Sequence, residues 1–248
     1  MASYDFSAPR LFADAPLAAG AHVGLDRGQA NYLGNVLRLK AGDGVLVFNG
    51  RDGEWRAALV AEGRKGLALT CLDQTRPQVP LNDLLYLFAP LKHARLDYMV
   101  QKAVEMGAGA LKPVFTRRTQ ATRVNRGRMR LNAIEAAEQC GILAVPDVLP
   151  EEAFAIAVNG LEPDRLVVFC DEEAPVADPM RALEQAGNRR GKLGVVVGPE
   201  GGFTDEERAL VLGRPNCVRV SLGPRILRAD TAAVAVLAVV QAALGDWP

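Results

Sequence analysis

The sequence is poor in the residues that most often carry acid–base and metal chemistry. It has two histidines, His22 and His93, far apart in the chain. That spacing argues against a histidine-based triad and against a metal site, so no metal is expected. The four cysteines, Cys71, Cys140, Cys170 and Cys217, are scattered with no Cys-x-x-Cys pair. They are expected to be reduced, buried thiols of a cytoplasmic protein. There is no Gly-Lys-Ser/Thr P-loop, hence no obvious lysine for a polyphosphate. The formal net charge is zero, so any nucleic-acid binding must come from a local patch. The longest apolar run, Ala232 to Val240, is far short of a membrane span. Met1 to Arg10 is mixed and polar, so no secretory signal is expected either.

What is present is ample apolar content, 49% of 248 residues, enough for one large or two ordinary domains. Residues 20 to 75 read as a small β-rich domain. Strands are expected over Val45 to Phe48, Glu54 to Val60 and Gly66 to Leu72, the first two flanking the hairpin signal Asn49-Gly50-Arg51-Asp52-Gly53. Tyr32, Leu33, Val36 and Leu37 recur at the spacing of a short helix. Asp73 to Asp83, polar and containing Pro77 and Pro80, is the expected linker. The division is therefore placed at residues 1–75 and 76–248. Beyond it strands and helices alternate. Strands are expected over Leu84 to Phe88, Leu111 to Phe115, Leu166 to Cys170, Leu193 to Val197 and Val218 to Leu222. This is the pattern of an α/β fold with a parallel sheet covered on both sides. Leu96, Met99, Val100, Ala103 and Val104 mark one face of a helix that Gly107 ends.

The stretch from Val195 to Thr231 carries the strongest signal. It reads strand, glycine-rich turn, helix, and then repeats the order. Val195-Val196-Val197 leads into Gly198-Pro199-Glu200-Gly201-Gly202-Phe203, and Val218-Arg219-Val220 into Ser221-Leu222-Gly223-Pro224. Two such turns at the carboxyl ends of neighbouring parallel strands would form one crevice, where α/β sheets bind ligands. Thr204 and Glu207 fit a capping box, and Asp230 or Thr231 can cap the last helix. Without a phosphate-binding lysine, a ligand held by main-chain groups, such as an adenosine without phosphates, fits best.

From Lys112 to Arg130 the chain carries Lys112, Arg117, Arg118, Arg123, Arg126, Arg128 and Arg130, with no acidic residue between Glu105 and Glu135. This basic stripe suits a phosphate backbone. The final helix, Thr231 to Leu244, is apolar on nearly every side and is expected to be central in a monomer or to pack against a second copy.

These residues together resemble the ribosomal RNA uridine-N3 methyltransferase family of the SPOUT superfamily. The resemblance rests on Val197 to Phe203 with Ser221 to Ala232. It is supported by Ala8-Pro9-Arg10-Leu11-Phe12, Val36-Leu37-Arg38-Leu39, Lys92 to Gly107 and Glu135 to Gly141. It implies a PUA-like β-barrel, then a parallel-sheet methyltransferase domain with a deep trefoil knot, working as a homodimer. It implies methyl transfer from S-adenosylmethionine, leaving S-adenosylhomocysteine, to N3 of one uridine of 16S ribosomal RNA in the decoding region of the small subunit. By the same resemblance three loops hold the cofactor: Phe169, Cys170, Asp171 and Glu172; Val197, Gly198, Pro199, Glu200, Gly201 and Gly202; and Ser221, Leu222, Gly223, Ile226, Leu227 and Arg228. Ile142-Leu143-Ala144 stands where members often carry an arginine, and Asp230 where glutamate is commoner.

Two devices can help this chemistry, the first a carboxylate that takes the N3 proton, with Glu200 and Asp230 as candidates. The second is an arginine that stabilises charge developing on the flanking carbonyls, with Arg225 and Arg228 as candidates. Arg10, Arg38, Arg117, Arg118, Arg123, Arg126 and Arg128 are assigned to RNA. A flavodoxin-like oxidoreductase is disfavoured because the strand ending Ala89-Pro90-Leu91-Lys92 has no glycine cradle. An inactive RNA-binding module, or one modifying a different RNA, is disfavoured by the intact glycines.

Overall fold

Period-two alternation of apolar residues builds the first unit. The computed structural model describes residues 8–63, 66–92, 94–171, 173–175, 178–187 and 191–247; His93 and Glu172 lie outside them. The chain divides into two units, 1–80 with 137–145, and 81–136 with 146–248. The first unit contains β1 (Arg10–Phe12), β2 (His22–Gly24), α1 (Arg27–Asn31), β3 (Gly44–Phe48), β4 (Glu54–Glu62) and β5 (Gly66–Arg76). They form a mixed sheet in the order β1-β3-β4-β5-β2, with β1 parallel to β3 and the other pairs antiparallel. Val45, Val47, Ala57, Leu59 and Leu69 fill its buried face together with Leu33.

Two expectations change here, and one departure from the family pattern gains a structural role. β5 runs on to Arg76, because Arg76 is anchored inside the unit. Its Nε and Nη2 donate to Glu54 at 2.9 and 2.5 Å, and its Nη1 to the Gly141 carbonyl at 3.0 Å. The linker is shortened accordingly. The expected helix is short, and it widens into a π-helical turn over Tyr32–Val36. The i→i+5 bond from Leu37 N–H to the Tyr32 carbonyl, 2.9 Å, shifts the helical phase. Leu33 stays in the core while Val36 and Leu37 face solvent. Finally, Ile142 and Leu143 join Phe48, Ala137 and Phe12 in a small apolar cluster. The segment that departs from the family pattern is thus a packing element of this unit.

The second unit takes up β6 (Leu84–Phe88), α2 (Ala94–Glu105), β7 (Ala110–Phe115), α3 (Arg126–Cys140), β8 (Asp147–Val148) and β9 (Glu152–Ala153). It continues with α4 (Phe154–Asn159), β10 (Leu166–Cys170), α5 (Pro179–Ala186), β11 (Leu193–Val197), α6 (Asp205–Leu212), β12 (Cys217–Val220) and α7 (Ala229–Ala243). The last turn of α3 belongs to the first unit. The sheet runs β12-β10-β11-β6-β7-β8, with β9 also on β7, and its pairs are parallel. β11 is buried along its whole length, as a strand covered on both faces must be. On one face Leu87, Val167, Phe169 and Val196 pack with Phe154, Val158 and Val211 of α4 and α6. On the other lie α7, α2 and α5, which pack against each other or the sheet.

α7 begins at Ala229 rather than Thr231. Its N-cap is Arg228, without a side-chain cap bond; Asp230 accepts instead from the next N–H, that of Thr231, at 3.0 Å. Nor is α7 buried all round. Ala233, Val236, Leu237 and Val240 are buried, while Val234, Ala235 and Ala238 are only half-buried and Thr231 and Ala242 exposed. Gln241 is fully buried and donates to the Met106 carbonyl at 2.8 Å, pinning α7 to the end of α2. Gly107, in the left-handed region at φ 79°, ends α2 as expected. A side chain there would strike Gln241 at 2.4 Å.

Candidate functional site

The two glycine-rich turns do share one cleft, although their strands are not neighbours: β10 lies between β11 and β12. Register explains why three loops converge. Cys170 pairs with Val220, Phe169 with Val196, and Val197 with Phe88, so the strand ends are level. The cleft is lined by Phe169, Cys170 and Asp171 from β10 and by Val197, Gly198, Pro199, Glu200 and Gly202 from β11. The loop after β12 adds Ser221, Leu222, Gly223, Arg225, Ile226 and Leu227. Gly201 and Arg228 do not line it. Gly201 turns to a neighbouring cavity, and Arg228 is exposed at the start of α7. Asp230 is half-buried in the first turn of α7, off the cleft wall, whereas Ala229 and Ala232 are on it. Glu172 lies outside the described residues.

Each turn has its own local cause. Thr204 caps α6 by accepting from Glu207 N–H at 3.3 Å, and Glu207 returns a bond to Thr204 N–H at 2.9 Å. This is the expected capping box. Gly202 sits at φ 70° and its N–H donates to the Pro199 carbonyl at 2.9 Å, closing the turn. Gly198 is required by packing: a Cβ there would lie 2.5 Å from the Phe203 ring. That ring is itself held between Phe154 and Phe169, with centroids 5.0 and 5.1 Å away.

The β10 loop is fixed electrostatically. The Asp171 carboxylate is fully buried and meets Arg208 Nη1 at 2.9 Å and Arg219 Nε at 2.6 Å. Arg219 also donates to the Glu173 carbonyl at 2.6 Å. A buried carboxylate needs this pairing, because unpaired it would carry a desolvation penalty of several kcal/mol, about the cost of an isolated buried ion. Sequence reading missed Phe203, Arg208 and Arg219. The partner of both arginines is dozens of residues away, and no local pattern signals it. Burial, reinforced by the Asp171 charge, pushes the Cys170 thiol up to about 12. It is a neutral wall of the cleft and not a nucleophile. Cys71 is buried and Cys170 and Cys217 are half-buried, whereas Cys140 is exposed, contrary to the expectation of four buried thiols.

The charged candidates separate. Glu200 is ion-paired with Arg95 of α2. Arg225 and Arg228 are exposed and have no ion-pair partner among the described residues. Arg118 Nη1 donates to the Gly201 carbonyl at 2.8 Å, which brings the basic stripe to the edge of the cleft. The stripe itself is partly neutralised from elsewhere in the chain. Lys112 pairs with Glu152 at 2.9 Å, Arg126 with Glu151 at 3.6 Å and Arg128 with Asp97 at 2.5 Å. Arg117, Arg118 and Arg123 remain exposed cations. Arg38 is exposed and holds a left-handed backbone at φ 59°. Arg10 corrects the expectation of an RNA contact. It is buried, with Nε 3.1 Å from Glu54, and has little surface left to meet a phosphate.

The cleft offers glycine-rich turns and apolar side chains, a lining that suits a nucleoside ring without phosphates. Comparison with known proteins agrees with that geometry. The profile of an RNA methyltransferase domain matches residues 77–241, and that of an RNA methyltransferase PUA domain matches residues 25–70. Ribosomal RNA small subunit methyltransferase E of Rickettsia conorii is 30% identical, over 94% of this chain and 94% of its own. The protein of the same name from Synechocystis is 34% identical over 90% of this chain and 74% of its own. The crystal structure of the Neisseria gonorrhoeae protein of that name, bound to S-adenosyl methionine, superposes with a TM-score of 0.86 at 28% identity, covering 97% of this chain and 100% of that one. The chain therefore belongs to the ribosomal RNA small subunit methyltransferase E family.

Proposed function

We propose that this protein methylates N3 of a uridine in 16S ribosomal RNA, in the decoding region of the small subunit, using S-adenosylmethionine. The observation that carries this is one cleft lined from three strand ends: Gly198 and Gly202 after β11, Gly223 after β12, and Phe169 to Asp171 at the end of β10. Its fit to the cofactor is a matter of chemistry. An adenosine without phosphates needs main-chain donors and acceptors and an apolar wall, and Phe169, Val197, Leu222 and Leu227 supply the wall. When bound, S-adenosylmethionine supplies an activated sulfonium methyl group.

The residues of the chain do the rest. Alignment of the two reactants is the largest contribution. Glu200 stands on the rim of the cleft and Asp230 in the first turn of α7; either carboxylate can take the N3 proton, worth about 10²–10⁴-fold in rate. Arg225, on the cleft, is the first candidate to stabilise charge on the uracil carbonyls, and Arg228, at the start of α7 and off the cleft wall, is the second. Exposed Arg117, Arg118, Arg123 and Arg38 meet the RNA backbone.

We assign a homodimer as the working form. The outward face of α7 presents Val234, Ala235 and Ala238 at helical spacing, and Ile226 beside the cleft is 99% exposed. A second copy covering them would complete the site. No helix of the described residues is long and apolar enough to cross a membrane, and a cytoplasmic location suits a ribosomal substrate. The test is nucleoside mass spectrometry of 16S RNA after incubation with the protein and labelled S-adenosylmethionine. The expected product is 3-methyluridine at one position. A chain that binds no S-adenosylmethionine, or that labels another base, refutes the assignment.

A further inference from the structure

A second cavity opens beside the cleft, lined by Pro90, Leu91, Lys92, Arg95, Arg118 and Gln120. Pro199 and Glu200 line both spaces, so ligands in the two would meet over that shared edge. We propose that this second cavity holds the base of the nucleotide to be methylated, with Gln120 reading it. The inference rests on the methyltransferase reading above and names its substrate pocket.

Three features support it. First, the lining matches a nucleotide. Pro90, Leu91 and Pro199 offer apolar surface to a ring face. Lys92 and Arg118 offer cations to its phosphates. Arg118 is held in place by its bond to the Gly201 carbonyl. Second, the cavity leads on. Leu91, Lys92 and Gln120 also line an adjoining trough with Thr122, Arg123 and Asn125. A single strand lying in that trough would keep its phosphates near Arg123 and drop one base past Gln120. Third, Gln120 is exposed and its amide has no hydrogen-bond partner among the described residues. Its NH2 is free to donate to a carbonyl flanking N3, leaving N3 itself open toward the cleft. The ion pair of Arg95 with Glu200 lies on the shared edge. It holds the Glu200 carboxylate, one of the two candidate bases, at that edge.

The test uses the full-length protein, the small ribosomal subunit and two readouts. Gln120→Ala, at an exposed position, is expected to leave S-adenosylmethionine affinity within about twofold. It is expected to lower kcat/KM for the RNA about tenfold, roughly the worth of one lost hydrogen bond. Independently, 4-thiouridine placed at the methylated position is expected to photocrosslink to residues 90–95 or 118–120. Wild-type kcat/KM in Gln120→Ala together with a crosslink to another segment overturns the pocket while leaving the methyltransferase reading intact. A wild-type chain that binds S-adenosylmethionine but transfers no methyl group to ribosomal RNA overturns both.

Discussion

Substituting Gly198 by alanine isolates the packing that shapes the cleft. The added Cβ would meet three ring carbons of Phe203 at 2.5, 2.9 and 3.0 Å. The ring cannot retreat, because Phe154 and Phe169 flank it at centroid distances of 5.0 and 5.1 Å. The strain therefore falls on the turn that carries Pro199 and Glu200. Overpacking of this kind costs about 1–3 kcal/mol. Borne by the ligand-binding turn, that is about a fivefold to hundredfold rise in Kd. Isothermal titration with S-adenosylmethionine measures it. Gly201→Ala is the milder comparison, since its Cβ would come no nearer than 3.3 Å, to Arg118 Cβ, and lies off the cleft wall. Phe203→Leu supplies the double-mutant cycle: it should weaken binding alone but recover part of the loss in the Gly198→Ala background. Wild-type affinity in Gly198→Ala, or no coupling between the two positions, would show that the Phe203 contact does not shape this site.

Other substitutions probe separate parts of the argument. Glu54→Ala removes the carboxylate that buried Arg10 and Arg76 share and should cost about 3–5 kcal/mol in urea unfolding, with RNA affinity per folded molecule unchanged. Burial alone would raise the Glu54 pKa, but hydrogen bonds from Arg76, Thr75 and Arg10 bring it below 4.5. Its contribution to stability is therefore full above 4.5 and is lost as the pH falls through the lower folded value; a stability profile flat across that acid range in wild type contradicts it. Arg225→Ala and Arg228→Ala should lower turnover more than cofactor affinity, and unchanged turnover in both removes them from the chemistry. RNA binding should weaken steeply with salt. Arg123→Ala should reduce the slope of log K against log salt by about 1, whereas Arg10→Lys should not change it; equal effects would mean that burial does not distinguish the two.

Local physics made a large part of this protein readable from its residues. The valine-rich strands, the Thr204–Glu207 cap, the end of α2 at Gly107 and the two glycine turns each depend on neighbours a few positions away. Tertiary structure decided what depends on distant partners. It inserted β10 between β11 and β12, so that the loop after β10, named beforehand only by resemblance, joined the cleft. It paired Asp171 with Arg208 and Arg219, and Glu54 with Arg10 and Arg76. It neutralised Lys112, Arg126 and Arg128 with carboxylates outside the basic stripe. A linear pattern records which side chains can carry charge, but whether that charge is free depends on what the folded chain sets within about 4 Å of it, where an opposite charge dominates.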